Sequence, residues 1–390
     1  MTDTRRRRPT RSSSNRRYSV RKRKRRRTIL AIVISLGILI LLAGAWLYFY
    51  FRTFDSYGVQ AALDITNSDE RTIYHKGKKG YIKCASDGIT YFDRKGILWA
   101  ETYEMTQPLI DVCGSYFVVA DLKGSDIYVY DDNGYISRMS VSHPIIDIEI
   151  SEMGVVAAAT NDDTSNFIEV MDKEGNELLT AKSVFSTSGY LEDITLSPDG
   201  ASLAAAYIYV SEGTLESKVV FYDFRGEGEI SGGFNQYKDT ALTNVEFLNS
   251  DTVCAIGDNA ITFYKVKSKP EIIYEDLALE WEIQSVFFGK GRIGLIVEDE
   301  SSDYGYVIKA FNAQGKLVTD QGFDFAYNKA AFAGSSILLY SANDCEIYDQ
   351  RGKRRFAYTF DERIEYLLSC GNSREFIYAT ANRTEFIKIK

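Results

Sequence analysis

One run constrains this chain more than any other. Residues 28–51 read TILAIVISLGILILLAGAWLYFYF, with no charged residue and no His, Asn or Gln. About 20 apolar residues span the ~30 Å hydrocarbon core of a bilayer as a helix. A lone span must be helical, because backbone polar groups in lipid have to be satisfied within the segment. Trp46, Tyr48 and Tyr50 crowd its C-terminal end together with Phe49 and Phe51, where an aromatic belt meets the headgroups. Ala43, Gly44 and Ala45 resemble a signal-peptide cleavage site. The apolar run continues past them, which favours an uncleaved anchor.

The flank before the run sets its orientation. Residues 1–27 hold 14 Lys plus Arg and a single acid, Asp3. Such a flank stays cytoplasmic by the positive-inside rule, which places the C-terminal bulk outside. The tail reads as a disordered topology signal that also touches anionic lipid. It offers only Tyr18 for base stacking, so no nucleic-acid partner is expected. Setting aside the tail and Arg52 leaves 31 basic and 53 acidic side chains in residues 53–390, a balance near −22 against −8 for the whole chain.

After a linker at 52–57, residues 58–390 are too many for one typical domain unless the fold repeats. A signature does recur: an alternating apolar strand, a polar turn with Gly, then a second strand. It appears as GITYFDRKGILWAETYE (88–104), DIYVYDDNGYISRMSV (126–141), NFIEVMDKEGNELLTAK (166–182), KVVFYDFRGEGEISGGF (218–234), ITFYKVKSKPEIIYEDL (261–277), YVIKAFNAQGKLVTDQGF (306–323) and CEIYDQRGKRRFAYTF (345–360). Period-2 alternation on both sides of a short turn reads as a β-hairpin. Asp93, Asp131, Asp172, Asp223, Lys265, Asn312 and Asp349 occupy equivalent turn positions. A second strand pair precedes each hairpin, clearest in DIEISEMGVVAAAT (147–160) and DITLSPDGASLAAAY (193–207).

Four strands per unit at a period near 40 predict an all-β propeller. The units fall at about 70–104, 108–141, 144–183, 190–234, 241–277, 281–323, 327–360 and 363–390. This counts eight blades, or seven if the first is irregular. The last unit has three strands, and GVQAALDIT (58–66) is the candidate for its missing outer strand.

The hairpins and the Ser197-Pro198-Asp199-Gly200 turn resemble the wide class of bacterial β-propellers that includes WD40-like and quinoprotein-like repeat families, over roughly residues 58–390. With the tail and the single span, the chain resembles membrane-anchored propeller proteins of Gram-positive bacteria whose function is uncharacterised. The quinoprotein branch implies Trp-containing docking motifs in each blade. Outside the apolar run the chain has only Trp99 and Trp281, so no quinone cofactor is expected.

Signs of chemistry are sparse. Two histidines, His75 and His143, do not make a metal or acid–base site, and no nucleophile, phosphate-loop or zinc motif appears. The five cysteines lack C-x-x-C spacing, and most sit in apolar strands as small hydrophobes. The acidic runs at Asp162-Asp163 and at Glu298-Asp299-Glu300 with Asp303 lack calcium-loop order and read as solvated loops. No catalytic residue, metal ligand or cofactor is expected. Propellers usually bind partners through connections between blades and the loops joining second to third strands. Tyr190, Tyr237, Trp281 and Arg363 fall there and are of hot-spot types, with packing between blades as the competing use of each. The expected role is a membrane-anchored extracytoplasmic docking scaffold for a protein of the cell envelope. The rival is a carbohydrate-binding or hydrolytic ectodomain with an acidic funnel.

Overall fold

The computed structural model describes residues 30, 32–44, 48, 52–67, 71–225 and 229–390. The chain divides into two compact units, Met1–Thr53 and Phe54–Lys390. In the first, residues 30, 32–44 and 48 are helical. Leu30, Ile32, Val33, Leu36, Ile40 and Leu41 are each more than half exposed. Among the described residues no helix is long and apolar enough to cross a membrane. The basic tail lies outside the described residues, as do Trp46, Tyr50 and other parts of the apolar run. Tyr48 is helical and exposed.

The second unit is a propeller of eight antiparallel sheets, each of four strands. Seven blades are contiguous in sequence, at 73–102, 108–140, 145–184, 190–238, 242–276, 282–323 and 329–359. The eighth combines 366–389 with a strand from the other end of the unit. Tyr57–Leu63 pairs antiparallel with Thr384–Ile389 and becomes its outer strand. The first unit of the repeat is regular, so the count is eight. Phe54 is already attached, donating its N–H to the Arg355 carbonyl at 2.8 Å and bridging Phe356 of blade 7.

Burial follows position in the blade. Second strands are covered by neighbouring blades on both faces and are apolar without alternation, as in sheets covered on both sides. Val156, Ala157, Ala158 and Ala159 of blade 3, and Leu203, Ala204, Ala205 and Ala206 of blade 4, are all buried. Small side chains there let the wedge-shaped sheets approach. Outer strands have one open face and alternate, as in Glu177–Val184.

The turns obey local chemistry. Asp172 accepts N–H bonds from Glu174 at 3.0 Å and Asn176 at 2.8 Å, and Gly175 takes φ of 89°. Asn312 and Asp349 repeat this arrangement, and Asp93, Asp131 and Asp223 each cap the residue two places on. Lys265 is the exception and pairs with Asp251 at 2.5 Å. Gly200 of the Ser-Pro-Asp-Gly turn takes φ of 72° and donates to the Ser197 carbonyl at 2.7 Å. These side chains offer the backbone a local partner where the sheet ladder ends.

Asp349 also pairs with Arg355 at 2.6 Å. Asp349→Ala is expected to destabilise the propeller by about 1–3 kcal/mol, because two backbone donors and a guanidinium lose their acceptor. Asp349→Asn, which keeps the turn bonds, is expected to lose clearly less. Chemical denaturation of both variants checks this.

Candidate functional site: the carboxylate-lined lumen

The inner strand of every blade has one free edge, and that edge faces the axis of the ring. Its N–H groups have no sheet partner and need one. At three successive junctions the preceding blade supplies it. Asp111 of blade 2 accepts from Ile150 N of blade 3 at 2.8 Å. From blade 3, Asp147 accepts from Ile194 N at 3.4 Å and Glu149 from Leu196 N at 3.2 Å. From blade 4, Asp193 accepts from Val245 N at 2.7 Å and Thr195 from Phe247 N at 3.0 Å. The result is a staircase of side-chain-to-backbone bonds running from blade 2 to blade 5.

A bulge aims these residues in blades 3 and 4, whereas the inner strand of blade 2, which carries Asp111, pairs without a register shift. The pairing register of the inner strand shifts just before Asp147, Asp193, Asn244 and Ser285. A bulged strand re-aims the side chain that follows. Glu246 of blade 5 stands at the position equivalent to Thr195 and Glu149, yet among the described residues no donor is found on its carboxylate.

The five carboxyls border the lumen, and each residue is half-buried, with part of its surface open. Burial comes first in raising all of them. Asp111 is pushed up to about 6, mainly by burial, with Asp147 adding to it. Glu246 is pushed up to about 8 by burial, then by Asp111 and Asp147. Burial also lifts Glu149 and Asp193 well above the carboxylate range, and Asp147 above it, while Asp147 and Asp193 hydrogen-bond to each other. Accepted N–H bonds pull the other way, since they favour the ionised form. Burial and like charge win, as two unit charges ~4 Å apart repel by about 4 kcal/mol even at an effective dielectric of ~20. Beside the cluster, burial pushes the Cys113 thiol up to about 12, and raises that of Cys254 well above its usual value. On the inner strand of blade 1, burial holds His75 down at about 4, so it is neutral.

The residues expected at a binding face are not brought together. Tyr237 is 1% exposed and its hydroxyl contacts that of Tyr264 in the core. Trp281 stacks on Phe311, and the Lys309 amino group lies 4.5 Å from its ring centroid. Lys309 in turn pairs with Asp299 at 3.3 Å and Asp320 at 3.4 Å. Arg363 is exposed and reaches Glu365 at 3.5 Å. Tyr190 is 58% exposed and packs on Phe185 with the two rings tilted by 31°. Asp162 caps Thr164 and Ser165 of its own turn. Among the described residues no group of three or more His, Cys, Asp or Glu is arranged to hold a metal ion. All five cysteines are free thiols. Reasoning from sequence missed the lumen carboxylates, although one signal was present. The motif D-I-E, D-I-T, N-V-E recurs at the start of three successive blades, at 147, 193 and 244.

A second feature breaks the repeat. In blade 4 the second and third strands, Ser202–Ser211 and Thr214–Asp223, run ten residues each, against five to seven in the other blades. Tyr190 pairs with Ile208, and Val210 pairs with Leu215, so these four share one face of a protruding hairpin. Val210 is 71% exposed, and Val184, next to Phe185, is exposed as well.

Residues 50–389 match the model of DUF5711, a family of unknown function. No curated protein matches the chain. Among solved structures, Sqt1 of Saccharomyces cerevisiae is 11% identical with a TM-score of 0.53, covering 87% of this chain and 99% of its own. Sqt1 of Chaetomium thermophilum is 11% identical with a TM-score of 0.54, covering 85% and 98%. At that identity the likeness is one of fold, a WD40-like propeller.

Thr195 is buried, and its hydroxyl serves a buried donor. Thr195→Val, nearly the same shape, is expected to cost about 1–3 kcal/mol by orphaning Phe247 N–H. Thr195→Ser keeps the acceptor and is expected to lose less. Thermal unfolding of the two side by side decides it.

Proposed function

We propose that this chain, which belongs to the DUF5711 family of unknown function, is a membrane-anchored docking scaffold whose propeller lies outside the cytoplasm and binds a protein of the cell envelope. The observation that carries the docking reading is the apolar ridge of blade 4. Tyr190, Ile208, Val210 and Leu215 line one face of a hairpin that outruns its neighbours. Exposed apolar area grouped around a tyrosine marks interaction surfaces. The propeller's charge balance near −22 favours a partner with a basic rim around its contact patch. Propellers of this architecture commonly serve as interaction platforms, an argument from fold alone.

The anchoring and its orientation rest on the uncharged run at 28–51 and on the 14 basic residues before it. The exposed apolar side chains of the described helical residues suit a lipid environment. A second reading, binding or hydrolysis of a glycan at an acidic lumen, draws on the hydrogen-bonded carboxyl pair Asp147–Asp193. Two carboxyls with different protonation are what acid–base hydrolysis uses.

The test is crosslinking capture in the native envelope with the full chain. The wild type is expected to retain one specific protein that a Tyr190→Ala/Val210→Asp variant loses, while Trp281→Ala and Arg363→Ala keep it. Equal capture by wild type and ridge variant would remove the ridge from consideration. Glycan enrichment without protein would move the weight to the lumen reading. Orientation is checked separately: a membrane-impermeant thiol reagent on intact cells is expected to label Lys290→Cys, at an exposed turn, and not Ser13→Cys in the tail.

A further inference from the structure

We propose that Asp111, Asp147, Glu149, Asp193 and Glu246 share protons across the lumen and form a pH-operated latch, holding the inner strands of blades 2 to 5 together when protonated and forcing them apart when ionised. The geometry is the staircase already described. Four of the five carboxyls clamp the edge of the next blade by accepting its backbone N–H. The same four converge with Glu246 on one arc of the lumen. Any excess charge on them therefore acts directly between inner strands.

The groups that face the cluster supply no countercharge. Blade 2 presents Asp111 and Cys113, and blade 3 presents Asp147 and Glu149, with Glu152 beyond its turn acting on Cys113. Blade 4 presents Asp193 beside the neutral Thr195. Blade 5 presents Glu246 with the thiol of Cys254 behind it. Of the two imidazoles, His143 precedes the inner strand of blade 3 and stacks on Phe167, and His75 of blade 1 is neutral. Among the described residues no ion pair includes any of the five carboxyls. The backbone N–H bonds that four of them accept do not cancel their mutual repulsion, and protonation does.

The sign follows by linkage. An acid raised in the folded state binds its proton more tightly there than in the unfolded chain, where Asp and Glu titrate near 4. Its stabilisation is complete below about pH 4 and is lost as pH rises through the folded values, about 6 for Asp111 and about 8 for Glu246. Carboxylates on the outside behave oppositely and at lower pH. Glu375, hydrogen-bonded to Arg94 and Lys388, is held at about 2. Between pH 5 and 9 the lumen cluster is therefore the main source of carboxyl-linked change.

The experiment is equilibrium unfolding of the full chain in detergent micelles from pH 5 to 9, for wild type, Glu246→Gln, Asp111→Asn and the exposed control Glu192→Gln. Each proton retained only in the folded state raises the unfolding constant about tenfold per pH unit. The wild type is expected to lose stability steadily across this range. Glu246→Gln is expected to remove about one proton's worth of that slope near pH 7–8. It should unfold at least tenfold less readily than wild type at pH 8.5 and about equally at pH 5. Asp111→Asn is expected to flatten the lower part of the profile, and Glu192→Gln to change nothing. An infrared band of protonated carboxyl persisting at pH 7 and weakened in Glu246→Gln would support the same conclusion. A flat wild-type profile, or a Glu246→Gln penalty equal at pH 5 and pH 8.5, would overturn the latch. So would a slope abolished by millimolar calcium, since the lumen would then be a cation site. None of these readouts depends on the docking ridge or on a partner.

Discussion

The pairing of Tyr57–Leu63 with Thr384–Ile389 is the interaction on which the rest of the propeller depends. It joins the two ends of a 330-residue repeat into one sheet and so turns a row of blades into a ring. A row would end in exposed strand edges and in two uncovered apolar faces. A ring hides both, which is why closed arrays are soluble where open ones pair with one another. Closure also brings eight inner strands around one axis. The aromatic packing at the seam reflects the load it carries: Tyr57 packs on Tyr358, Phe360 and Tyr378, tying the closing strand to blade 7 as well as to blade 8.

Closure creates a problem at the centre. Every inner strand turns an unpaired edge toward a confined space, and its N–H groups must be satisfied there. Blades 2 to 5 answer with side-chain acceptors, mostly carboxyls. That answer carries a conflict, because the best acceptor is an ionised carboxylate and the lumen disfavours charge. At the end of a second strand the same residue type meets the opposite conditions: Glu375 has two cationic partners and sits far below its usual range. Solvent access and countercharge, rather than residue identity, decide the protonation state.

Function in a repeat protein is most visible where one unit departs from the others. Seven blades keep their second and third strands near the common length, and blade 4 does not. The longer strands carry exposed Val210 and Leu215. The fold itself is shared by proteins only about one-tenth identical and says nothing about which partner.

Much of the architecture could be read directly from the chain. Hairpin turns, blade boundaries and the origin of the closing strand depend on period-2 alternation and on Asp and Gly at the turns, all of which act over a few neighbouring residues. The uncharged run and its basic flank were legible for the same reason, since hydropathy and charge sum over local sequence. The surroundings of the candidate site residues were not. Tyr190 and Tyr237 look alike in sequence, yet one stands on a protruding hairpin and the other contacts Tyr264 inside the core, and only the packing of adjacent blades separates them. Asp147 and Glu149 read as the polar side of an ordinary alternating strand. Ring closure gave that side a lumen to face, and a bulge aimed it there. Local chemistry thus determined the elements, and the closed ring decided which of their side chains share a space with distant ones, because burial and like-charge repulsion exist only once residues as far apart in sequence as Asp111 and Glu246 are held together.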